Sequence, residues 1–417
     1  MNSFEKQAFE NLWEYPLFEA LAKRRGLRLS RGSKITNSPF GFESEKKPIP
    51  LTELETAILC WAGHGITGVA TGDLDITPEL MNTFVGRTHP NACNDPHQEL
   101  LYINDDGAFL YRPNVPTQHV EIANPNEREK VVTSFQDSVV RIVDGRPEIP
   151  EFALMKCNYF SVNKPGTTAF MPVVDLTYEY MNMVVDTITA ERWQIMDDRN
   201  GSYCGLDKWV KNGYLNGAPA PLSMLEVMVM NVCTSAAHCM AMNISLAATA
   251  MGLAGWHYGG YVSLVILGGT PITRGLGFRF VTGKNKMPVP VGKDGVMESL
   301  NPPYVKDMDE AVDKFFAMKF GPEGTYGKNS KELAPWKDKD MVSKIKLPDE
   351  EVREMTKIYM RYIFENYGRI PGMVDPIFLP IAYAVHHPDM DFYGKYYPKE
   401  YVNDTMKNHL KAWHGND

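Results

Sequence analysis

Three stretches of this 417-residue chain hold residue types that could do chemistry together. The first is Lys23-Arg24-Arg25-Gly26-Leu27-Arg28. Basic residues at a helix end are favoured by the helix dipole whatever their function. Three guanidiniums around a glycine turn can also clamp a phosphate through bidentate, charge-assisted hydrogen bonds. The second stretch runs from Gly86 to Ile103 and contains Arg87-Thr88-His89-Pro90-Asn91-Ala92-Cys93-Asn94. Small and amide-bearing residues ahead of a strand can present backbone N–H groups to a planar polar ligand, or simply form a polar loop. The third, Asn243 to Tyr261, is a helix with a small-residue face followed by Gly255-Trp256-His257-Tyr258-Gly259-Gly260. Its glycines let backbone approach a ring system closely. His257 and Tyr258, beside the Gly-Gly pair, are the candidates to give or take a proton there.

The elements that must position these residues can be read from spacing. A helix is expected over Pro16 to Arg25, with proline in its first turn, Leu17, Phe18 and Leu21 as its apolar stripe, and Gly26 as its stop. Thr52 with Glu55 forms a capping box for a helix whose Leu54, Ala57, Ile58 and Trp61 share one face. Glu99 to Tyr111 reads as a hairpin turning at Asn104-Asp105-Asp106-Gly107. Met224 to Leu253 is the most apolar helix, with a Ser223/Glu226 capping box. Being hydrophobic nearly all round, it is expected to be central and buried. Strands are expected at Tyr261–Leu267 and around Leu276–Thr282. Beyond Met287 prolines, lysines and glycines dominate to Leu347, with helices at about Met308–Lys319 and Pro348–Tyr367, the latter ending at Gly368. Residues 1–287 thus read as one α+β unit and 288–417 as a C-terminal extension packing on it.

Composition excludes some classes. Forty-three basic against fifty-one acidic residues give a net charge of −8, which argues against a nucleic-acid partner. Met1 to Tyr15 holds no continuous apolar run, and the stretch Met224–Val232 is broken by Glu226 and Asn231. The expectation is a cytoplasmic protein with no membrane partner. The six cysteines form no CxxC pair, so reduced thiols are expected, with neither a metal site nor a disulfide framework. Gly321 to Asn329 imitates a phosphate loop with its glycine spacing off by one. His386-His387-Pro388-Asp389, with Asp391, reads as a structural loop, because adjacent side chains point apart on regular elements. His238 reads as a core histidine; His64 and His89 either touch a ligand or are structural.

In this order the three stretches resemble the nitroreductase superfamily. Its Arg-Arg-Ser-x-Arg phosphate motif is matched by Arg24-Arg25-Gly26-Leu27-Arg28, and its closing helix and Ile-Gly-Gly turn by Asn243 to Gly260. Leu59-Cys60-Trp61-Ala62-Gly63-His64-Gly65-Ile66-Thr67 and Arg87 to Ile103 are most similar to the SagB-type dehydrogenase branch. The resemblance spans about residues 15–287, with a poorly matched stretch at about 145–215.

That resemblance implies an α+β sandwich, with a central antiparallel sheet flanked by helices, in an intertwined homodimer holding FMN at its interface. Arg24, Arg25, Gly26 and Arg28 would hold the phosphate and ribityl chain. Pro90, Asn91, Ala92 and Asn94 would reach the flavin across the dimer. Tyr258, Gly259 and Gly260 would lie beside the ring, and Lys284 or Lys286 would add the basic residue that follows the last core strand. It implies flavin hydride transfer to or from a small conjugated or aromatic substrate, with NADH or NADPH as candidate electron donor. Three departures stand out: Gly26 replaces the motif serine, Asn91 and Cys93 replace Ser and Gly, and Lys211 and Tyr214 only loosely match the branch's lysine–tyrosine pair. Gly26 and Asn91 leave open an FMN-free binding scaffold, and the long C-terminal extension, able to cap the pocket, leaves open an unusual flavin reaction such as reductive substituent removal or flavin fragmentation.

Overall fold

The computed structural model describes residues 1–71, 83–92, 97–113, 122, 124–322, 324, 337–344 and 346–415. Its centre is built outward from the hairpin expected at Glu99 to Tyr111. Strand β1 (His97–Asn104) and strand β2 (Gly107–Tyr111) pair antiparallel, Leu100 opposite Tyr111 and Asn104 opposite Gly107. The turn closes because Asn104 Oδ1 accepts the N–H groups of Asp106 and Gly107. Gly107 is required there: its φ is +156° and an added Cβ would stand 2.2 Å from the Val143 carbonyl.

Five further strands complete the sheet: β3 (Val139–Asp144), β4 (Thr168–Asp175), β5 (Ala254–Tyr258), β6 (Ile377–Phe378) and β7 (Ala382–His386). Their order is β5-β7-β4-β1-β2-β3, β6 pairs with β4, and every pairing is antiparallel. The expected central antiparallel sheet is present. Two of its inner strands come from unexpected places: β4 lies in the stretch 145–215, and β7 lies beyond 288. The boundary at 287 falls in the turn between two paired strands, Arg279–Thr282 and Pro288–Lys293.

One sheet face, with Leu100, Tyr102, Tyr111, Phe170, Tyr383 and Val385, is covered by helices. These are α1 (Ser3–Trp13), α3 (Glu53–His64), α4 (Lys130–Ser138) and α6 (Leu222–Met251). Between α1 and α3 lies α2 (Leu17–Lys23), which packs on α6. The opposite face, with Leu101, Ile103, Met171, Trp256 and Tyr258, is covered by irregular chain around Ile149–Val162 and by a short helix, Ser263–Leu267. That helix replaces the strand expected at Tyr261–Leu267, since a short apolar run bounded by glycines suits either element. A third core joins α5 (Leu176–Asp186), the first half of α6, α7 (Met308–Phe320) and α8 (Glu350–Tyr367).

Two expectations about helices need correcting. The Ser223/Glu226 capping box does not form: Ser223 Oγ bonds Asp198, while Glu226 accepts N–H bonds from Gly372 and Met373. Nor is α6 buried all round. By length and composition it could cross a membrane, with a mean hydropathy of 1.3 over its most apolar window, yet only 39% of that window is buried. The buried residues, Leu225, Val229, Cys233, Ala237, Met240, Ile244 and Ala248, repeat at helical spacing and form one stripe. Val227 and Met228 lie exposed on the other side. The apolar stripe of α2 also faces outward, with Leu17 61% and Phe18 83% exposed, and only Ala20 of that helix is buried.

Candidate functional site

The arginine turn leaves α2 at Arg24, whose backbone turns extended (φ −58°, ψ 128°). The chain then runs beside β5, with Leu27 N–H donating to Gly255 O. The first and third stretches singled out by residue type are therefore neighbours. Arg24 is half-buried, and its charge falls on His257 and on Tyr383. Arg25 donates to the carbonyls of Ala22 and Arg24 and lies over the Tyr401 ring. Arg28 donates to Cys157 O and lies over Trp256, 5.8 Å from its ring centre. Gly26 is exposed, with open space where a side chain would project.

Along β5 successive side chains take opposite faces. His257 is half-buried against Tyr383, ring centres 4.6 Å apart. Burial, then the Arg24 charge, lowers its pKa, so the ring is neutral at pH 7. Tyr258 points the other way, buried, stacked on Trp256 and packed edge-on to Tyr261. It lines a small cavity with Arg146, Asn163 and Thr167, and burial raises its phenol pKa. His257 and Tyr258 therefore cannot serve one ligand face with their side chains. Gly259 is exposed and Gly260 half-buried at the end of the edge strand, where Gly260 O accepts from Met155 N–H. Phe152, Met155 and Val262 are exposed apolar neighbours of that turn.

The second stretch takes a different position. Thr88 is tied to the end of α3 by bonds to Gly65 O and Trp61 O, and its own carbonyl accepts from Asn243 Nδ2 on α6 at 2.8 Å. Asn243 is roughly 200° around the helix from Ala241, beside which His257 lies. Thr88 and His257 thus meet α6 on different sides. Pro90 and Ala92 are exposed and Asn91 half-buried; Asn94 lies outside the described residues. Lys284 is exposed and bonds the Glu365 carbonyl near the end of α8, and Lys286 is an exposed turn residue with φ +63°. Neither joins the arginine turn through these bonds. Tyr214 hydroxyl bonds Asp349 at the foot of α8.

Beneath the Thr88–Pro90 turn lies a buried polar group that residue type alone indicated only in part. His64 Nδ1 and His89 Nε2 are 3.2 Å apart, and Glu99 stands between His64 Nε2 (3.6 Å) and Arg112 Nε (2.9 Å). Burial lowers both histidine pKa values; the His64 and Arg87 charges help bring His89 to about 3. By sequence alone Glu99 is a strand residue with no sign of this role. His238, read as a core histidine, is exposed and bonds Thr234 O. His386 and His387 do diverge as adjacent residues should: His386 Nε2 meets Leu27 O, whereas His387 turns toward Glu55.

No family model matches the chain. No curated protein matches it either. Among solved structures it is similar to a provisionally assigned nitroreductase from Ralstonia eutropha, with 13% identity over 60% of this chain and 71% of that one. The TM-score is 0.28, too loose a likeness to support an argument about fold or activity.

Proposed function

We propose that this chain is an FMN-dependent oxidoreductase of nitroreductase type, working as a cytoplasmic homodimer on a small conjugated or aromatic substrate. The observation that carries the proposal is the docking of the Arg24–Arg28 turn against the edge strand β5, beside His257 and the Gly259–Gly260 turn. Arg24 is the best placed of the three arginines for a phosphate, because Arg25 and Arg28 already donate to backbone carbonyls. Bound there, FMN would supply hydride transfer between an electron donor such as NADH or NADPH and the substrate. Neutral His257, half-buried beside Arg24, can accept a proton from a bound molecule or pass one to it. Tyr258 contributes backbone and the wall behind it. Exposed Gly259 and the apolar Phe152, Met155 and Val262 offer a surface for a ring to lie on.

A second copy would complete this arrangement. Thr88 and His257 meet α6 on different sides, at Asn243 and Ala241, and this favours a ligand shared by the Pro90–Ala92 turn of one chain and the arginine turn of another. The exposed Leu17, Phe18, Val227 and Met228 give α2 and α6 an apolar surface suited to such a pairing. The carbonyl bonds of Arg25 and Arg28 favour a second reading, an FMN-free scaffold.

One experiment separates the two. Purified protein should bind FMN with a perturbed flavin absorbance band, and Arg24→Ala should weaken that binding at least tenfold, as loss of a charge-assisted phosphate contact does. A colourless protein that ignores added FMN would leave the scaffold reading standing. Undiminished affinity in Arg24→Ala would remove the phosphate site.

A further inference from the structure

Four residues from three distant parts of the chain converge on one point inside the protein. Glu55, in the first turn of α3, is completely buried. Its Oε1 stands 2.8 Å from His409 Nε2, 3.0 Å from His414 Nε2 and 3.7 Å from His387 Nε2. The ligand-type atoms all lie within 4.8 Å of one another. We propose that Glu55, His387, His409 and His414 bind a divalent transition-metal ion of the zinc class, which fastens the C-terminal helix to α3.

Hydrogen bonding fixes which ring nitrogens face the centre. His387 Nδ1 lies 2.9 Å from Ile49 O and His409 Nδ1 lies 2.8 Å from Met251 O. Only an N–H can face a carbonyl, so Nδ1 carries the proton in both rings and each neutral ring aims a bare Nε2 inward. Metal-bound histidines are oriented in this way, by a backbone acceptor on the far nitrogen. The carboxylate is oriented too, because Glu55 Oε2 accepts the Thr52 N–H at 2.7 Å and leaves Oε1 to face the histidines.

Without an ion the cluster is poorly satisfied. At 3.7 Å His387 Nε2 is too far from Glu55 for a hydrogen bond, and it has no other partner among the described residues although the ring is 2% exposed. Neutral His414 can donate from Nε2 and one added proton can satisfy His409, but His387 Nε2 is still left facing no donor. Protonating His387 as well as His409 would set two positive rings, with centres 5.0 Å apart, against one negative charge. A divalent cation satisfies all four groups at once with every ring neutral. Tetrahedral bonds of 2.0–2.1 Å put ligand atoms about 3.3 Å apart, inside the observed 2.8–3.7 Å range from Glu55. Three imidazoles with one carboxylate suit zinc, cobalt, nickel or copper, and not the oxygen-seeking magnesium or calcium.

The backbone near the C-terminus also fits. His409 ends helix α9 (Asp404–His409), and Leu410–His414 continues it as a π turn. On an α-helix five residues turn through about 500°, leaving their side chains roughly 140° apart. The wider π turn brings His409 and His414 to the same carboxylate. Such turns recur at functional sites. Every ligand is buried except His414, which is half-buried, so the site is closed in the manner of structural metals, with entry past His414.

The test uses the full chain, expressed without a histidine tag and purified without chelators. Stoichiometric zinc by elemental analysis is expected. After stripping, added Co2+ should give the visible d–d absorption of a four-coordinate site, and Zn2+ should abolish it. His409→Ala should lose the cobalt spectrum. His414→Ala, at the least buried ligand and so the variant safest for folding, should weaken Zn2+ binding by at least the roughly 10–100-fold that loss of an outer-shell partner costs. Thermal unfolding should rise on adding Zn2+ to stripped wild type and stay unchanged for His409→Ala. A metal-free isolate that gains neither cobalt absorption nor thermal stability would overturn the proposal, as would equal Co2+ binding by wild type and His414→Ala.

Discussion

Among the described residues, two groups of buried histidines are built on different plans. His64 and His89 stack, ring centres 5.4 Å apart and planes 12° apart, sharing one N···N contact. Their nearby carboxylate, Glu99, is neutralised by Arg112 at 2.9 Å. Around Glu55, by contrast, the carboxylate is the innermost group, and no lysine or arginine is ion-paired to it among the described residues. What decides the state of a buried histidine is therefore who neutralises the neighbouring carboxylate. Where an arginine does so, the rings can stay neutral and act as packing. Where none does, the rings must supply a charge or hold one.

The largest effect should come from removing the carboxylate of each group in turn. Breaking a buried ionic contact from one side costs about 3–5 kcal/mol, because the remaining groups stay buried without a partner. Glu55→Ala should fall in that range, and it also removes the capping box of α3. Glu99→Ala should cost less, about 1–3 kcal/mol, since Arg112 is 42% exposed and can turn to water. Urea unfolding of the two variants measures both costs. Equal costs would break the comparison.

The next effect is in pH. His89 titrates near 3 in the folded protein against about 6.5 unfolded, so below 6.5 the unfolded chain binds the proton first. Its contribution is complete above pH 6.5 and falls away as pH drops toward 3, by about 1.4 kcal/mol per unit. His64 acts in the same direction. Between pH 7 and 5, His89→Gln should lose about 2 kcal/mol less stability than wild type, read from urea midpoints at the two pH values. Parallel losses would show that His89 takes up its proton in the fold as readily as in the unfolded chain, and the contrast with the Glu55 group would disappear.

How much of this was legible follows from distance along the chain. The Asn104–Gly107 turn, the Thr52/Glu55 capping box and the glycine stop after α8 are set by residues within four positions, and they form as expected. Glu55 was readable as a cap because Thr52 is three residues away; its second role was not, because His409 and His414 lie more than 350 residues on. Those two were hidden by spacing as well, since five residues do not share a face on the helix one would assume. His387 passed as a loop residue because nothing local shows what it turns toward. The Ser223/Glu226 pattern misled because Asp198 and the Gly372–Met373 backbone hold both side chains more firmly than the helix end does. At the candidate cofactor site, residue type picked out the arginine turn and the Gly-Gly turn, and the fold makes them neighbours. The opposed faces of His257 and Tyr258 follow from strand alternation and could have been read at once from a strand assignment there.

The smallest effect tests whether the π turn at Leu410–His414 is held in place for His414. Gly415 closes that turn with φ +68°, and an added Cβ would stand 2.7 Å from the Phe4 ring. Gly145 has nearly the same backbone, φ +67°, with nothing near an added Cβ. Alanine at either position carries the same left-handed backbone cost, about 1 kcal/mol. Gly145→Ala should show that cost and no more. Gly415→Ala should exceed it, because relaxing the turn moves His414 off Glu55 while Phe4, half-exposed, can swing aside. Thermal unfolding of the two variants side by side gives the difference directly. If the two match, the turn does not hold His414, and the Glu55 group rests on His387 and His409 alone.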